Sequence, residues 1–99
     1  MSIFVSLGIQ NLSVAGAAVG FTLPAATVGI THYATVKVET ASVRYTCDGT
    51  APVAATTGTP AQVSESFEVW GSPDLVNFKA IRETSTSGAL AIEYFGTKA

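Results

Sequence analysis

The chain has 99 residues, enough for one domain with a single core and too few for a core plus a deep active-site cleft. Charged residues make up 12% of it, about half the usual ~25%, and 15 alanines swell an apolar fraction of 47%, so large apolar side chains are sparse and a thin core is expected. The net charge is −2, and Lys37, Arg44, Lys79, Arg82 and Lys98 form no run, which excludes the clustered cations that a nucleic-acid backbone or an anionic membrane surface requires.

A thin core is marginal on its own, and burial against copies of the chain or against a partner would offset that. Cys47 is the single cysteine, so no intrachain disulfide forms. No Asp, Glu, Lys or Arg occurs before Lys37, and the stretch from Leu12 to Ile30 has the length of a membrane span. It is weakly hydrophobic, interrupted by Pro24 and without cationic flanks, so no span is expected. Met1 to Leu12 lacks the basic start of a secretory signal.

Thr, Val and regularly spaced Gly and Pro mark a β protein. Ile3 to Leu7 reads as a short strand or extended arm ended by Gly8, and Ala18 to Leu23 as a second strand stopped by Pro24. From Tyr33 to Thr40 the residues Ala34, Val36 and Val38 alternate with Thr35, Lys37 and Glu39, the period of a strand with one face buried. Val43, Tyr45 and Cys47 continue that face after a bend at Ala41-Ser42. Asp48-Gly49 is a turn, and Ala54 to Pro60 is a loop of small residues. Glu65 to Trp70 alternates again, with Phe67 and Val69 inward and Trp70 outward, and Gly71-Ser72-Pro73-Asp74 reads as a tight turn. Phe78 to Arg82 is a strand, Thr84 to Gly88 a polar loop, and Ala89 to Phe95 the last strand, with Leu90, Ile92 and Tyr94 on one face. About seven or eight short strands separated by turns predict an all-β fold, a small antiparallel β-sandwich or jelly roll spanning residues 1–99 as one domain.

The residues offer little catalytic chemistry. The one imidazole, His32, pairs with Cys47 only if the fold brings them together, and a lone strand cysteine is ordinarily a small core residue. Glu65 and Glu68 fall on opposite faces of their strand, which leaves solvated charge as the simpler reading than a carboxylate pair. Asp48-Gly49-Thr50 lacks the alternating acids of a calcium loop, and no zinc spacing occurs. No enzyme activity, cofactor or metal is expected. Tyr33 and Trp70 lie opposite the core-facing positions and are expected at the surface. There they serve a subunit contact or, alternatively, stack on a sugar.

From Val43 onward an ordered set of pieces is shared with a known group. It begins with Val43-Arg44-Tyr45 and Asp48-Gly49-Thr50-Ala51-Pro52, then Gly58-Thr59-Pro60. Ser66-Phe67-Glu68-Val69-Trp70-Gly71 follows, then Leu75, Phe78 to Ile81, and Leu90-Ala91-Ile92-Glu93-Tyr94-Phe95. Over residues 33 to 96 this order resembles small β-sandwich or jelly-roll virion proteins of tailed phages, of the capsid decoration or cement type. Ala54 and Phe95 depart from the pattern, where Thr and a second Tyr are common. The resemblance implies a protein on the outer surface of the capsid whose partners are the major capsid protein and its own copies, commonly as a homotrimer. It also implies an arm that reaches a neighbour, for which the uncharged residues 1–15 are the candidate, and an interface drawn from Ile3, Phe4, Val5, Leu7, Tyr33 and Trp70. Related domains serve on tails and fibres, and a free-standing carbohydrate-binding adhesion module is the further alternative.

Overall fold

Alternating side chains make strands that are apolar on one face, and such faces must be buried against one another. In the computed structural model, which describes residues 4–54 and 56–98, two antiparallel sheets do this. The strands are β1 (Val5–Val14), β2 (Gly29–Glu39), β3 (Val43–Thr46), β4 (Thr59–Ala61), β5 (Ser66–Trp70), β6 (Lys79–Arg82) and β7 (Gly88–Lys98). One short helix, α1 (Ser72–Asn77), joins β5 to β6. The larger sheet has the order β1-β7-β2-β5 and the smaller β4-β3-β6. Strand accounts for 54% of the residues and helix for 6%, so the fold is an all-β sandwich.

The core lies between the sheets. Ala34, Val36 and Val38 of β2, Leu90, Ile92 and Tyr94 of β7, Val14 and Val69 face Val43, Ala61 and Ala80 from the smaller sheet. Phe78 and Leu75 fill one end, and Phe21 stacks on Phe78 with ring centroids 4.1 Å apart and planes 1° from parallel. Tyr45 stacks on Phe67 at 4.2 Å. The alternation at Tyr33 to Thr40, Glu65 to Trp70 and Ala89 to Phe95 thus gives the strands and inward faces expected, with Phe67 half-buried against the core.

Several expectations are corrected. Gly8 does not end the first strand: β1 runs through it on a β-bulge between Ser6 and Gly8, with Gly8 at φ 145°. One extra residue reverses which side of the strand each later side chain faces. Leu7 shares the inward face of Val5 by plain alternation; after the bulge Leu12 and Val14 point inward, while Ile9 and Asn11 point out. The described part of the expected arm over residues 1–15 is in consequence a strand of the chain's own sheet, paired with β7 from Val5 to Val14.

Ala18 to Leu23 forms a single bridge, Val19 to Ala80, in place of a strand. Gly20 packs on the Phe78 carbonyl and Phe21 turns inward, so the ladder stops. The Gly71 to Asp74 turn opens a helix instead, with proline in its first turn and Asp74 favourable at its N-terminal end. The small-residue loop closes in β4, where Pro60 is tolerated because the strand is an edge.

Candidate functional site

The outer face of the larger sheet is not covered by any other element of the described chain. Register places its outward side chains in rows across the strands. One row is Ser6, Phe95, Tyr33 and Trp70, the next Ile9, Glu93, Thr35 and Glu68, and the third Asn11, Ala91, Lys37 and Ser66. The first row is aromatic because positions of one parity coincide across β7, β2 and β5. Tyr33 stacks on Trp70 with centroids 4.0 Å apart and planes at 12°, and on Phe95 at 5.0 Å and 9°. Phe4 folds over the end of this row, stacked on His32 at 4.8 Å and edge-on to Tyr33 at 5.8 Å. The nine aromatics of the chain therefore divide into two groups. Five lie inside (Phe21, Tyr45, Phe67, Phe78, Tyr94) and four outside (Phe4, Tyr33, Trp70, Phe95).

Hydrogen bonds stiffen this surface. The Trp70 indole N–H donates to Glu68 Oε1 at 2.9 Å, and the Ser6 hydroxyl to Glu93 Oε2 at 2.8 Å. Where Ala91 stands between Asn11 and Lys37, its small side chain leaves an open trough of about 230 Å³, walled by Ile9, Thr35 and Glu93. The face is thus apolar and aromatic toward Phe95 and Ile30 and polar toward Lys37, Glu39 and Glu68, with Ile9 74% and Ile30 64% exposed.

Of the residues expected at an interface, Phe4, Tyr33 and Trp70 come together in this cluster. Trp70 is half-exposed, as the alternation predicts, and Tyr33 is half-buried because its ring faces are taken by its neighbours. Leu7 is corrected: it alternates with outward Ser6 and points into the core, where a partner does not reach it. Val5 is half-buried against the same core, and Ile3 lies outside the described residues. Sequence reasoning missed Phe95, Ile9 and His32. Phe95 was legible, since inward Tyr94 makes its neighbour face out. Ile9 and His32 depend on bulges, because His32 is the extra residue where β2 shifts register against β7.

Stacking bears on sugar recognition, which uses open ring faces. Parallel rings 4.0 and 5.0 Å apart are face to face, too close to lie side by side. Tyr33 therefore offers no face, and the side of Trp70 turned away from Tyr33 is the open one.

A second concavity, of about 360 Å³, lies at the smaller sheet between Tyr45, Cys47, Asp48 and Asp74. Burial, with help from Asp74 and Asp48, pushes the Cys47 thiol above its ordinary pKa and so disfavours the thiolate nucleophile. His32 sits on the other sheet, its Nε2 3.4 Å from the Thr97 hydroxyl, so the fold does not pair it with Cys47. Among the described residues no group of three or more His, Cys, Asp or Glu side chains is placed to hold a metal ion, and no helix is long and apolar enough to cross a membrane. Comparison of the chain with family models, with curated proteins and with solved structures finds no match in any of the three.

Proposed function

We propose that the chain is a structural virion protein of a tailed phage, a decoration or cement protein that lies on the outer surface of the capsid and docks on the major capsid protein through the outer face of its four-stranded sheet. The observation that carries this reading is the aromatic row. A chain with so few large apolar residues places four of its nine aromatics outside its core. Monomeric proteins rarely leave such a group uncovered, and aromatic side chains dominate the energetics of protein interfaces. Because the rings are already stacked, docking freezes few rotamers, and less of the gain from burial is lost to side-chain ordering. The polar end of the face, with Lys37 one row away from Glu68 and Glu93, supplies the charged rim that sets orientation. The resemblance over residues 33 to 96 supports the assignment to the capsid.

The test is the copy number of the chain in purified particles, measured by quantitative mass spectrometry against the major shell protein. A ratio near one per shell subunit is expected, together with loss of shell binding in Trp70→Ala while the variant stays folded. A handful of copies per particle would move the protein to the tail or fibre. Absence from particles would leave a free-standing adhesion module, for which the open face of Trp70 is the sugar-stacking position.

A further inference from the structure

Both sheets of the sandwich have two edges, and the chain treats the four differently. β4 is 3 residues long and contains Pro60. β6 carries Lys79 and Arg82 and is bridged by Val19. β5 is 5 residues long with exposed Glu68 at its centre. β1 is 10 residues long and contains no Asp, Glu, Lys, Arg or Pro from Val5 to Val14. Open edges template pairing with other chains, and proteins ordinarily blunt them by shortness, charge, proline or a cover. Three edges here are blunted in those ways. On β1 the sole such device is the bulge at Leu7, which leaves Ile9 to Val14 straight. The inner side of β1 bonds to β7. Among the described residues no further backbone hydrogen bond reaches it, and the next is at Ala15, whose carbonyl accepts from the Arg82 N–H at 3.1 Å.

We infer that β1 is a self-association edge whose occupant is β1 of a second copy, paired antiparallel about a two-fold axis so that two sheets become one. Charge permits a second copy here and on no other edge of comparable length. A two-fold axis sets an edge against itself, so a charged strand meets like charge; β5 would bring Glu68 against its own kind, whereas β1 pairs without repulsion. Exposure agrees. Ile9, the most exposed large apolar residue of the described chain at 74%, sits on this edge. Pairing centred on Asn11 sets Ile9 beside the second copy's Ser13 and Gln10 beside its Leu12, which covers Ile9. The axis stands perpendicular to the sheet, so both aromatic rows lie on one side of the pair, and a surface that binds one copy gains the second at high effective concentration. The assembly is two-fold, unlike the trimer that the resemblance implies, and the inference does not rest on the virion reading.

Light scattering coupled to size exclusion, over a dilution series, tests it on the full chain and two variants. The unmodified chain is expected at twice its 10.1 kDa mass. Asn11→Lys puts a charge on the edge and is expected to raise the dimer dissociation constant at least about tenfold, giving monomer. Thr35→Lys adds the same charge to the same face on interior strand β2 and is expected to remain dimeric. Circular dichroism checks that both fold, and Asn11→Asp, which also sets like charge against like charge across the axis, replaces Asn11→Lys if it does not. Monomer or trimer for the unmodified chain overturns the inference. So does a dimer that Thr35→Lys breaks and the edge lysine spares, which is the signature of face-to-face packing.

Discussion

The Tyr94 hydroxyl donates a hydrogen bond to Gln10 Oε1, and the same oxygen accepts the Thr22 backbone N–H at 3.0 Å. One inward amide thus ties β1, β7 and the segment after β1 together beneath the core ring of Phe21, which meets Tyr94 edge-on at 5.8 Å. Replacing it leaves two polar groups without their partner. Gln10→Ala is expected to destabilise the fold by about 1 kcal/mol in urea denaturation, the net worth of a hydrogen bond to the part-buried Tyr94 hydroxyl, because the exposed Thr22 N–H finds water instead. Gln10→Glu, which restores an acceptor, is expected to cost less.

Burial pushes the Tyr94 phenol up to about 12, from 10.0. The folded state holds the proton more tightly than the unfolded state, so its stabilising contribution is complete below pH 10. It is lost as the pH rises toward 12, by on the order of 2–3 kcal/mol. Denaturation followed across that range should show the decline, and Tyr94→Phe should flatten it.

Trp70→Ala and Phe78→Ala remove aromatics of opposite standing. Phe78 is 1% exposed and touches Phe21 and Tyr45 in the core, so its loss is expected to cost about 3–5 kcal/mol. Trp70 is 51% exposed, and its loss is expected to cost about 0.5–1.5 kcal/mol, the worth of one stacked pair. Melting curves of the two variants check the contrast.

Gly8 and Gly96 are required for different reasons. At Gly8 a Cβ meets nothing within 4 Å, and only the positive φ resists substitution. At Gly96 a Cβ would overlap the Ile30 carbonyl oxygen where β2 bulges over β7. Gly8→Ala is expected to cost about 1–2 kcal/mol and to fold. Gly96→Ala is expected to cost more than that, because backbone rather than a pliable side chain must move, and thermal melts of both read the order.

The Cys47 thiol, raised by burial and by Asp74 and Asp48, is expected to react with iodoacetamide more slowly than a free thiol at pH 8, and at the ordinary rate in denaturant. A mass-spectrometric time course measures both.

Much of the larger sheet was legible because its strands alternate cleanly. Ala34, Val36 and Val38 on β2, and Leu90, Ile92 and Tyr94 on β7, show their faces in the period alone. The same parity exposes Trp70 and, carried one residue further, Phe95. What escaped was whatever depends on an inserted residue or on distant backbone. Neither the extra residue at Leu7 nor the one at His32 leaves a pattern in the string of letters, yet each decides which side chains face out beyond it. Helix α1 hid inside a turn signal, since Gly-Ser-Pro-Asp suits a turn and a helix start equally. The site itself was half visible: Tyr33 and Trp70 declared themselves, but their direct opposition comes from the β2–β5 register, which is a tertiary fact.

The last strand in chain order, β7, stands between the first two, with Val14 opposite Gly88 and Val5 opposite Gly96. β2 pairs with β5 without it, but β1 has no other partner in the sheet, and the sheet stays in two pieces until β7 joins them. β1 and β2 do not pair with each other and must wait, separately, until the chain beyond Gly88 closes both ladders. Loop closure over most of the chain must be met before any of that pairing is gained, which assigns the domain to the slow, all-or-none folders with rates on the millisecond-to-second scale. It also leaves β1 of each nascent copy without its mate until the chain beyond Gly88 has emerged.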